Sequence, residues 1–227
     1  PFCGGCASSG PVTAQKVCAG FTEYSEAAAK LSAREEAMSS FRANGRTVAK
    51  FYRDGKRSRE SFSIRLWFDR QGLLRLHGDV LFNSRGIDAG TNHDQFWMAL
   101  KPRELGCRYY SGKRGGSFAD AQLRFDPRIL MEALGRIEIH AGAQGSLVKS
   151  PRYDIVILPA GERQFTRKIY LNTCDHRPRR IEYLSERGEM LTVEMGDYRE
   201  LSEDCFIPSR LHITVHDDSQ RDSSFET

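Results

Sequence analysis

Cysteine is the residue type of this chain whose spacing most directly suggests chemistry. The six cysteines lie at positions 3, 6, 18, 107, 174 and 205. Cys3 and Cys6 have the spacing of a redox pair, but no strand or helix is predicted beside them, which argues against a thioredoxin-like site. Ala7 follows Cys6, where c-type haem attachment requires histidine. An oxidising compartment would permit disulfides, and the spacing leaves their pairing open.

The segment around Cys6 has a second interpretation. Gly5, Cys6 and Ala7 are followed by a short polar run at 8–10, an order that resembles the lipobox and first mature residues of a bacterial lipoprotein. The pattern is incomplete, because Cys3 stands where such boxes usually carry leucine. Acylation of Cys6 would supply the two hydrophobic chains that stable membrane anchoring requires. The alternative is a leader in which the cysteines are incidental.

Other polar residues give weaker indications of a metal site or an active site. His212 and His216 share a strand face beside Asp217 and Asp218. Two histidines four apart are far less diagnostic of a metal on a strand than on a helix. The sequence has no Gly-x-Ser-x-Gly elbow and no phosphate-binding loop before a helix. We therefore expect no catalytic residues, no metal and no cofactor.

The overall charge balance does not indicate a particular class of binding partner. The formal net charge of +4, from 34 basic and 30 acidic residues, is far from the basic footprint of a nucleic-acid binder, so no nucleic-acid partner is expected. A local cluster around the first predicted hairpin has two explanations: contact with anionic lipid headgroups, or a solvated edge that discourages aggregation. The cluster consists of Arg46, Lys50, Arg53, Lys56, Arg57 and Arg59.

Two helices are predicted. The first begins at Thr22 as N-cap and runs to about Ala43. Asp126 as N-cap and Pro127 at the first position predict a second helix that ends near Gly135. Both helices have an apolar side that is suited to lie on a sheet. In the first helix this side is formed by Ala27, Leu31, Met38 and Phe41.

Alternating apolar residues predict strands through most of the remaining chain. The first strand covers 47–52, and the next two form a hairpin that is apolar on one face only. Trp67 and Trp97 are predicted to face outward or to contact a lid. Further strands are predicted around 86–92, 96–100 and 107–110, and at 154–158, 164–172, 179–184, 190–195 and 209–216.

Length and composition favour one domain. A chain of 227 residues can bury one sizeable core, and no Gly/Pro/Ser-rich linker divides it. We expect a flexible N-terminal tether at 1–21, a single domain at 22–216 and a polar, frayed tail at 217–227. No stretch approaches the roughly 20 apolar residues that cross a bilayer.

The order of these elements resembles the LolA/LolB-type lipoprotein-carrier superfamily over about residues 24–216. The resemblance rests on SFSIRLWFDRQGLLRLHGDV, GTNHDQFWMAL, KIYLNTCDHRPRRIEYLSERGEML and IPSRLHITV. It implies an α+β fold in which a strongly curved antiparallel sheet forms an unclosed β-barrel covered by helices. It also implies a concave apolar interior that accepts acyl chains of lipids or lipoproteins. The lipidated, LolB-like kind is the nearer match if Cys6 is acylated.

The apolar strand faces form the wall of the predicted cavity. Removing an acyl CH₂ group from water is favourable by about 0.8 kcal/mol, and flexible methionine side chains adapt to different chain shapes. A core filled by the same side chains would show the same alternation. The predicted ligand-binding residues are Phe62, Ile64, Leu66, Phe68, Leu74, Leu76, Phe96, Met98, Ile169, Leu171 and Met195.

These observations predict a non-enzymatic, lipid-anchored protein of the bacterial outer membrane that faces the periplasm. It would bind acyl chains for transport or insertion. The alternative is a structural or interaction lipoprotein with a filled half-barrel and an envelope protein partner. A hydrolase would require a polar cluster at the cavity mouth.

Overall fold

The computed structural model describes residues 18–53, 56–80, 83–101, 108–113, 128–139, 144–160, 165–186, 188–216 and 223–227. These residues form two helices and thirteen strands. The helices are α1 (Tyr24–Ala37) and α2 (Arg128–Ala133). The strands are β1 (Phe41–Arg53), β2 (Lys56–Asp69), β3 (Leu73–Val80), β4 (Asn83–Thr91), β5 (Gln95–Leu100), β6 (Arg108–Lys113), β7 (Ser146–Lys149), β8 (Tyr153–Leu158), β9 (Thr166–Asn172), β10 (Pro178–Ser185), β11 (Gly188–Ser202), β12 (Cys205–Val215) and β13 (Ser223–Glu226).

All thirteen strands belong to one antiparallel sheet. Its order is β6-β5-β4-β3-β2-β1-β13-β12-β11-β10-β9-β8-β7, so that two meanders are joined through β13. The sheet is strongly curved and unclosed, and helices cover one face, which confirms the predicted fold class. Of the predicted helices, α2 lies within the expected range, and Gly135 after it has a φ of +96°, which favours glycine.

The expected frayed tail at 217–227 is wrong for its last residues. β13 pairs with β1 through Val48 and Glu226, and with β12 through Ile213 and Phe225. The amide of Thr227 donates to the carbonyl of Leu211 at 2.7 Å. A strand with a partner on each side satisfies its backbone groups whatever the polarity of its side chains. Residues 223–227 are therefore held in the sheet.

The expected tether at 1–21 is also too long. Cys18 forms a disulfide with Cys174, 156 residues away in sequence. The amide of Phe21 donates to the carboxylate of Asp154 at 2.7 Å. Residues 18–21 are therefore attached to the domain, whereas Cys6 lies outside the described residues. Disulfides of this kind are typical of proteins in oxidising compartments.

Helix α1 is shorter than predicted. Its N-cap is Glu23, whereas Thr22 donates through its amide and its hydroxyl to Glu26. The helix ends at Ala37, because the chain from Phe41 pairs with β2 along its full length. Tertiary pairing thus overrides a helical pattern that continued to about residue 43. Phe41 stacks on Phe68 with ring centroids 5.2 Å apart.

The main core lies between the helices and β8–β12. Ala27 and Leu31 of α1 and Ile129 and Ala133 of α2 pack on the inward side chains of these strands. The strand residues in this cluster are Val156, Leu158, Ile169, Leu171, Ile181, Tyr183, Leu191, Val193, Met195 and Ile213. All of them are at most 6% exposed. This half of the sheet is therefore a filled, two-layer core.

A buried polar network attaches α2 to the sheet. Glu132 on α2 accepts hydrogen bonds of 2.7 Å from Arg167 Nη1 on β9 and from the Tyr183 hydroxyl on β10. Arg167 Nη2 also donates to the carbonyl of Glu138 at 3.2 Å. The Glu132 side chain is 2% exposed and that of Arg167 is 8% exposed. Both side chains are therefore shielded from water, and the stability of the ion pair depends on its hydrogen-bond geometry.

We expect Glu132→Gln to lower the free energy of unfolding by about 3 kcal/mol, because it leaves the buried Arg167 guanidinium without its counter-charge. Denaturant titration followed by circular dichroism measures this change. The double variant Glu132→Leu/Arg167→Met is expected to recover most of the loss, since it removes both buried charges. A loss below about 1 kcal/mol in the single variant would show that the network does not hold α2 in place.

Candidate functional site

The helix-covered face of the sheet continues from the filled half into a more open half. The strand register connects Ile169 on β9 with Ile213 on β12, and continues through the backbone of β13 to Ala49 on β1. The inward faces of β8–β12 and of β1–β6 are therefore a single concave face. The two halves differ in what lies on them.

The open half keeps apolar side chains in partial contact with solvent. Ile64, Leu76, Ile87, Met98 and Leu100 all point inward and all retain intermediate exposure. They contrast with Ile169 and Leu171 in the filled half, which are 0% exposed. These five side chains therefore form an apolar surface on this face that is partly exposed to water, which is unfavourable.

Several small residues lie on this part of the concave face. Ala43 and Ala89 lie in the row of Leu76 and Met98, and glycines stand opposite Ile64 on both neighbouring strands. A Cβ atom at Gly78 would lie 3.2 Å from the ring of Phe62. The ring of Phe62 and the side chain of Ile87 therefore pack closely over the backbone of this glycine.

The predicted wall residues divide into three groups. Phe62, Leu66, Phe68, Leu74 and Phe96 are buried at the base of the open half and are 2–8% exposed. Of these, Leu66, Phe68 and Leu74 pack with Met38, Met131 and Leu134 in a second cluster. Ile64, Leu76 and Met98 belong to the partly exposed surface, and Ile169, Leu171 and Met195 lie beneath the helices. A ligand would reach this last group only after a helix had moved.

Sequence reasoning missed Ile87 and Leu100 as members of the open surface. Both residues lie on the inward face in directly opposed positions. The only sequence signal was the alternation of Phe96, Met98 and Leu100, which gives the face of β5 but not its register with β4.

A cavity of about 610 Å³ opens near the ends of β1–β5. Residues of both sheet faces line it. Arg42, Trp67, Arg75 and Trp97 form one outward cross-strand row, so the two tryptophans face outward as predicted. The remaining lining residues are Ser40, Phe41, Phe68, Asp69, Leu73, Leu74, Thr91 and Asn92.

A polar cluster beside this cavity is centred on Asp88. Its carboxylate accepts hydrogen bonds from Arg75 Nη2 at 3.1 Å and Trp97 Nε1 at 3.3 Å. Burial alone would raise the pKa of Asp88, but these hydrogen bonds and the charge of Arg75 hold it below its usual value. His77 packs edge-on against Trp67, and its Nε2 lies 3.7 Å from Asp88 Oδ1. Burial lowers the pKa of His77, and the attraction of Asp88 only partly opposes this.

His212 of β12 and His216, which directly follows this strand, have partners on β11. His212 Nδ1 lies 3.3 Å from Glu194 Oε2, and His216 Nε2 lies 2.9 Å from the Thr192 hydroxyl oxygen. Asp217 lies outside the described residues. Among the residues that the structure describes, no three side chains of His, Cys, Asp or Glu are grouped as a metal site would require.

The fold is shared with solved structures of low sequence identity. A domain from Vibrio parahaemolyticus described as an outer membrane lipoprotein-sorting protein is similar with a TM-score of 0.57 and 12% identity, over 89% of this chain and 88% of that chain. A LolA superfamily protein from Nitrosomonas europaea is similar with a TM-score of 0.54 and 13% identity, over 91% of both chains. A DUF1329 family protein from Desulfovibrio piger has a TM-score of 0.57 and 9% identity, over 89% of this chain and 90% of that chain.

The comparisons confirm the resemblance at the level of the LolA-like fold. No protein-family model and no curated protein matches the chain. Within the described segments, neither helix has the length and apolar character needed to cross a membrane.

We expect His77 to make the domain less stable as the pH falls below 6.5. The pKa of His77 is lowered in the folded protein from 6.5, so the unfolded chain binds the proton first and protonation favours unfolding. His77→Gln removes this titration, and its free energy of unfolding should therefore fall less between pH 7.5 and 5.5. Urea titrations at several pH values measure both slopes. Equal slopes for the two proteins would contradict the role given to His77.

Proposed function

We propose that this protein binds the acyl chains of lipids or lipoproteins on the open half of its concave face. The observation that carries the proposal is the contrast between the two halves: helices cover the apolar side chains of β8–β12, whereas five inward apolar side chains on β2–β5 remain partly exposed. The similarity in fold to a lipoprotein-sorting domain supports the same conclusion.

The energetics of this surface favour a flexible hydrocarbon over a rigid polar ligand. Ile64, Leu76 and Met98 are aliphatic or flexible side chains without a hydrogen-bonding group. Each CH₂ group that leaves water contributes about 0.8 kcal/mol, so a long acyl chain gains affinity without specific polar contacts. Met98 can change rotamer to follow chains of different shape. Binding of this kind needs no catalytic group, and we propose a non-enzymatic role.

The second candidate function is that of a structural or interaction lipoprotein of the cell envelope. The filled half favours it, because Ile169 and Leu171 have no exposed surface beneath α1 and α2. In that case the five partly exposed apolar residues on β2–β5 would contact an envelope protein instead of a lipid. The two functions differ in whether the isolated protein binds lipid.

We further propose that the protein is anchored through acylated Cys6 to the bacterial outer membrane, facing the periplasm. The disulfide between Cys18 and Cys174 supports an oxidising compartment. An acylated Cys6 would stand twelve residues before the disulfide-bonded Cys18.

We expect Leu76→Trp and Met98→Trp each to raise the dissociation constant for a fluorescent long-chain fatty acid by about tenfold. Either indole would occupy the space of about two acyl CH₂ groups. Displacement fluorimetry and native mass spectrometry of gently extracted protein measure bound lipid.

Val148→Trp is the matched control, since Val148 is 47% exposed on β7 at the far end of the sheet. Its affinity should equal that of the unchanged protein. If the unchanged protein carries and binds no lipid under any condition, the interaction lipoprotein becomes the better explanation.

We expect Cys6→Ser to abolish metabolic labelling of the protein with a fatty-acid probe and to release it from the membrane fraction. Cys3→Ser provides the matched control, because it changes the neighbouring cysteine and leaves the proposed acylation site intact. Gel fluorescence after cell fractionation measures both effects. Full labelling of the Cys6→Ser protein would show that Cys6 is not the acylated residue.

A further inference from the structure

The hairpin formed by β1 and β2 has an outward face that is strongly basic. Arg46, Lys50 and Tyr52 alternate on β1, and Arg57 and Arg59 lie on β2. The register places Lys50 directly opposite Arg59, and Tyr52 directly opposite Arg57. Strand alternation therefore puts all five side chains on the same face. The two arginines of β2 and Arg46 are exposed.

These cations form no ion pair with the described residues, although Glu226 of β13 lies opposite Val48, between Arg46 and Lys50. Arg46 donates through Nε to the hydroxyl of Ser61 at 2.9 Å, which leaves its charge uncompensated. Among the residues that the structure describes, no carboxylate forms an ion pair with Lys50, Arg57 or Arg59. The situation differs farther along β2, where Arg65 pairs with Asp79 at 2.9 Å.

Stability of the hairpin does not account for this arrangement. Two like charges directly opposite each other on neighbouring strands repel and destabilise the pair. Lys50 and Arg59 occupy such positions. An anionic surface placed against this face would neutralise both charges at once and convert an unfavourable contact into a favourable one.

The outer part of the hairpin is accessible from the side. Pairing of β2 with β3 ends at Ser63, and pairing of β1 with β13 ends at Lys50. In the described chain, residues 51–53 pair only with 56–58, and residues 59–61 pair only with 48–50 of β1. At about 3.3 Å per residue, the arm without any other neighbouring strand is about 10 Å long. Its outward aromatic residue, Tyr52, is 41% exposed, and tyrosine favours the boundary between lipid headgroups and water.

We propose that the outward face of the β1–β2 hairpin docks on an anionic phospholipid surface. Arg46, Lys50, Arg57 and Arg59 contact phosphate groups, and Tyr52 lies at headgroup level. Each cation near such a surface is worth about a factor of five in binding. The contact would orient the domain on a membrane, and it involves the face of β1 and β2 opposite to the one proposed to bind acyl chains.

The test uses the full chain carrying Cys6→Ser, so that no acyl anchor contributes to binding. The probes are vesicles of phosphatidylcholine alone and vesicles that also contain phosphatidylglycerol. We expect cosedimentation with the anionic vesicles only, and weaker binding at higher salt. Lys50→Ser/Arg59→Ser should lower the partition coefficient at least about tenfold without lowering the free energy of unfolding.

Lys149→Ser/Arg152→Ser is the matched control, because it removes one exposed lysine and one exposed arginine beside β7, at the other end of the sheet. Its vesicle binding should remain unchanged. Leu76→Trp should also leave vesicle binding unchanged, so that failure of the acyl-chain proposal is distinguishable from failure of this one.

Three results would overturn the proposal. One is an equal loss of vesicle binding in both charge variants, which would indicate a dependence on net charge alone. Another is tighter binding to a fluorescent oligonucleotide than to anionic vesicles, with the same loss in Lys50→Ser/Arg59→Ser, which would indicate a polyanion site. The third is aggregation of Lys50→Ser/Arg59→Ser with unchanged vesicle binding, which would assign the charges to protection of a strand edge.

Discussion

The position of α2 on the concave face depends on the hydrogen bonds of the buried Glu132 carboxylate. It joins α2 to β9 through Arg167 and to β10 through Tyr183. An ion pair in this environment is costly to break, because either partner alone is a buried charge. Glu35 on α1 accepts a 3.0 Å hydrogen bond from Arg136, just after α2. Both helices are thereby held over the concave face, and Met131 of α2 also packs on Leu66 and Phe68 at the base of the open half.

The position of the helices divides one continuous apolar face into two environments. Over β8–β12 the inward side chains find helix side chains at packing distance, and this half contributes most of the core. Over β2–β5 the same alternation leaves Ile64, Leu76 and Met98 partly in water. The filled half provides a rigid frame, and the open half provides a surface that a flexible hydrocarbon can cover. The proposed binding function follows from this asymmetry rather than from any polar group.

The last strand completes the sheet between its two meanders. β13 lies between β1 and β12, so residues close to the C-terminus hold together strands that are more than 150 residues apart in sequence. The disulfide from Cys18 to Cys174 adds a second long-range connection. Such contacts have a high loop-closure cost during folding. These long-range contacts also fix the position of the concave face relative to the basic hairpin, since β1 and β2 belong to both.

The sequence by itself determined the period of each element, and with it the α+β class, most strands, the second helix and the inward face of Phe62 to Phe68. Alternation and turn residues are local, so they can be read without partners. Tertiary structure alone decided the end of α1, the capture of the C-terminal residues as β13 and the pairing of Cys18 with Cys174. It also decided which inward side chains are covered, since Ile169 and Leu76 have the same alternating pattern. Their difference arises from where two helices lie, and that position depends on contacts between residues distant in the chain.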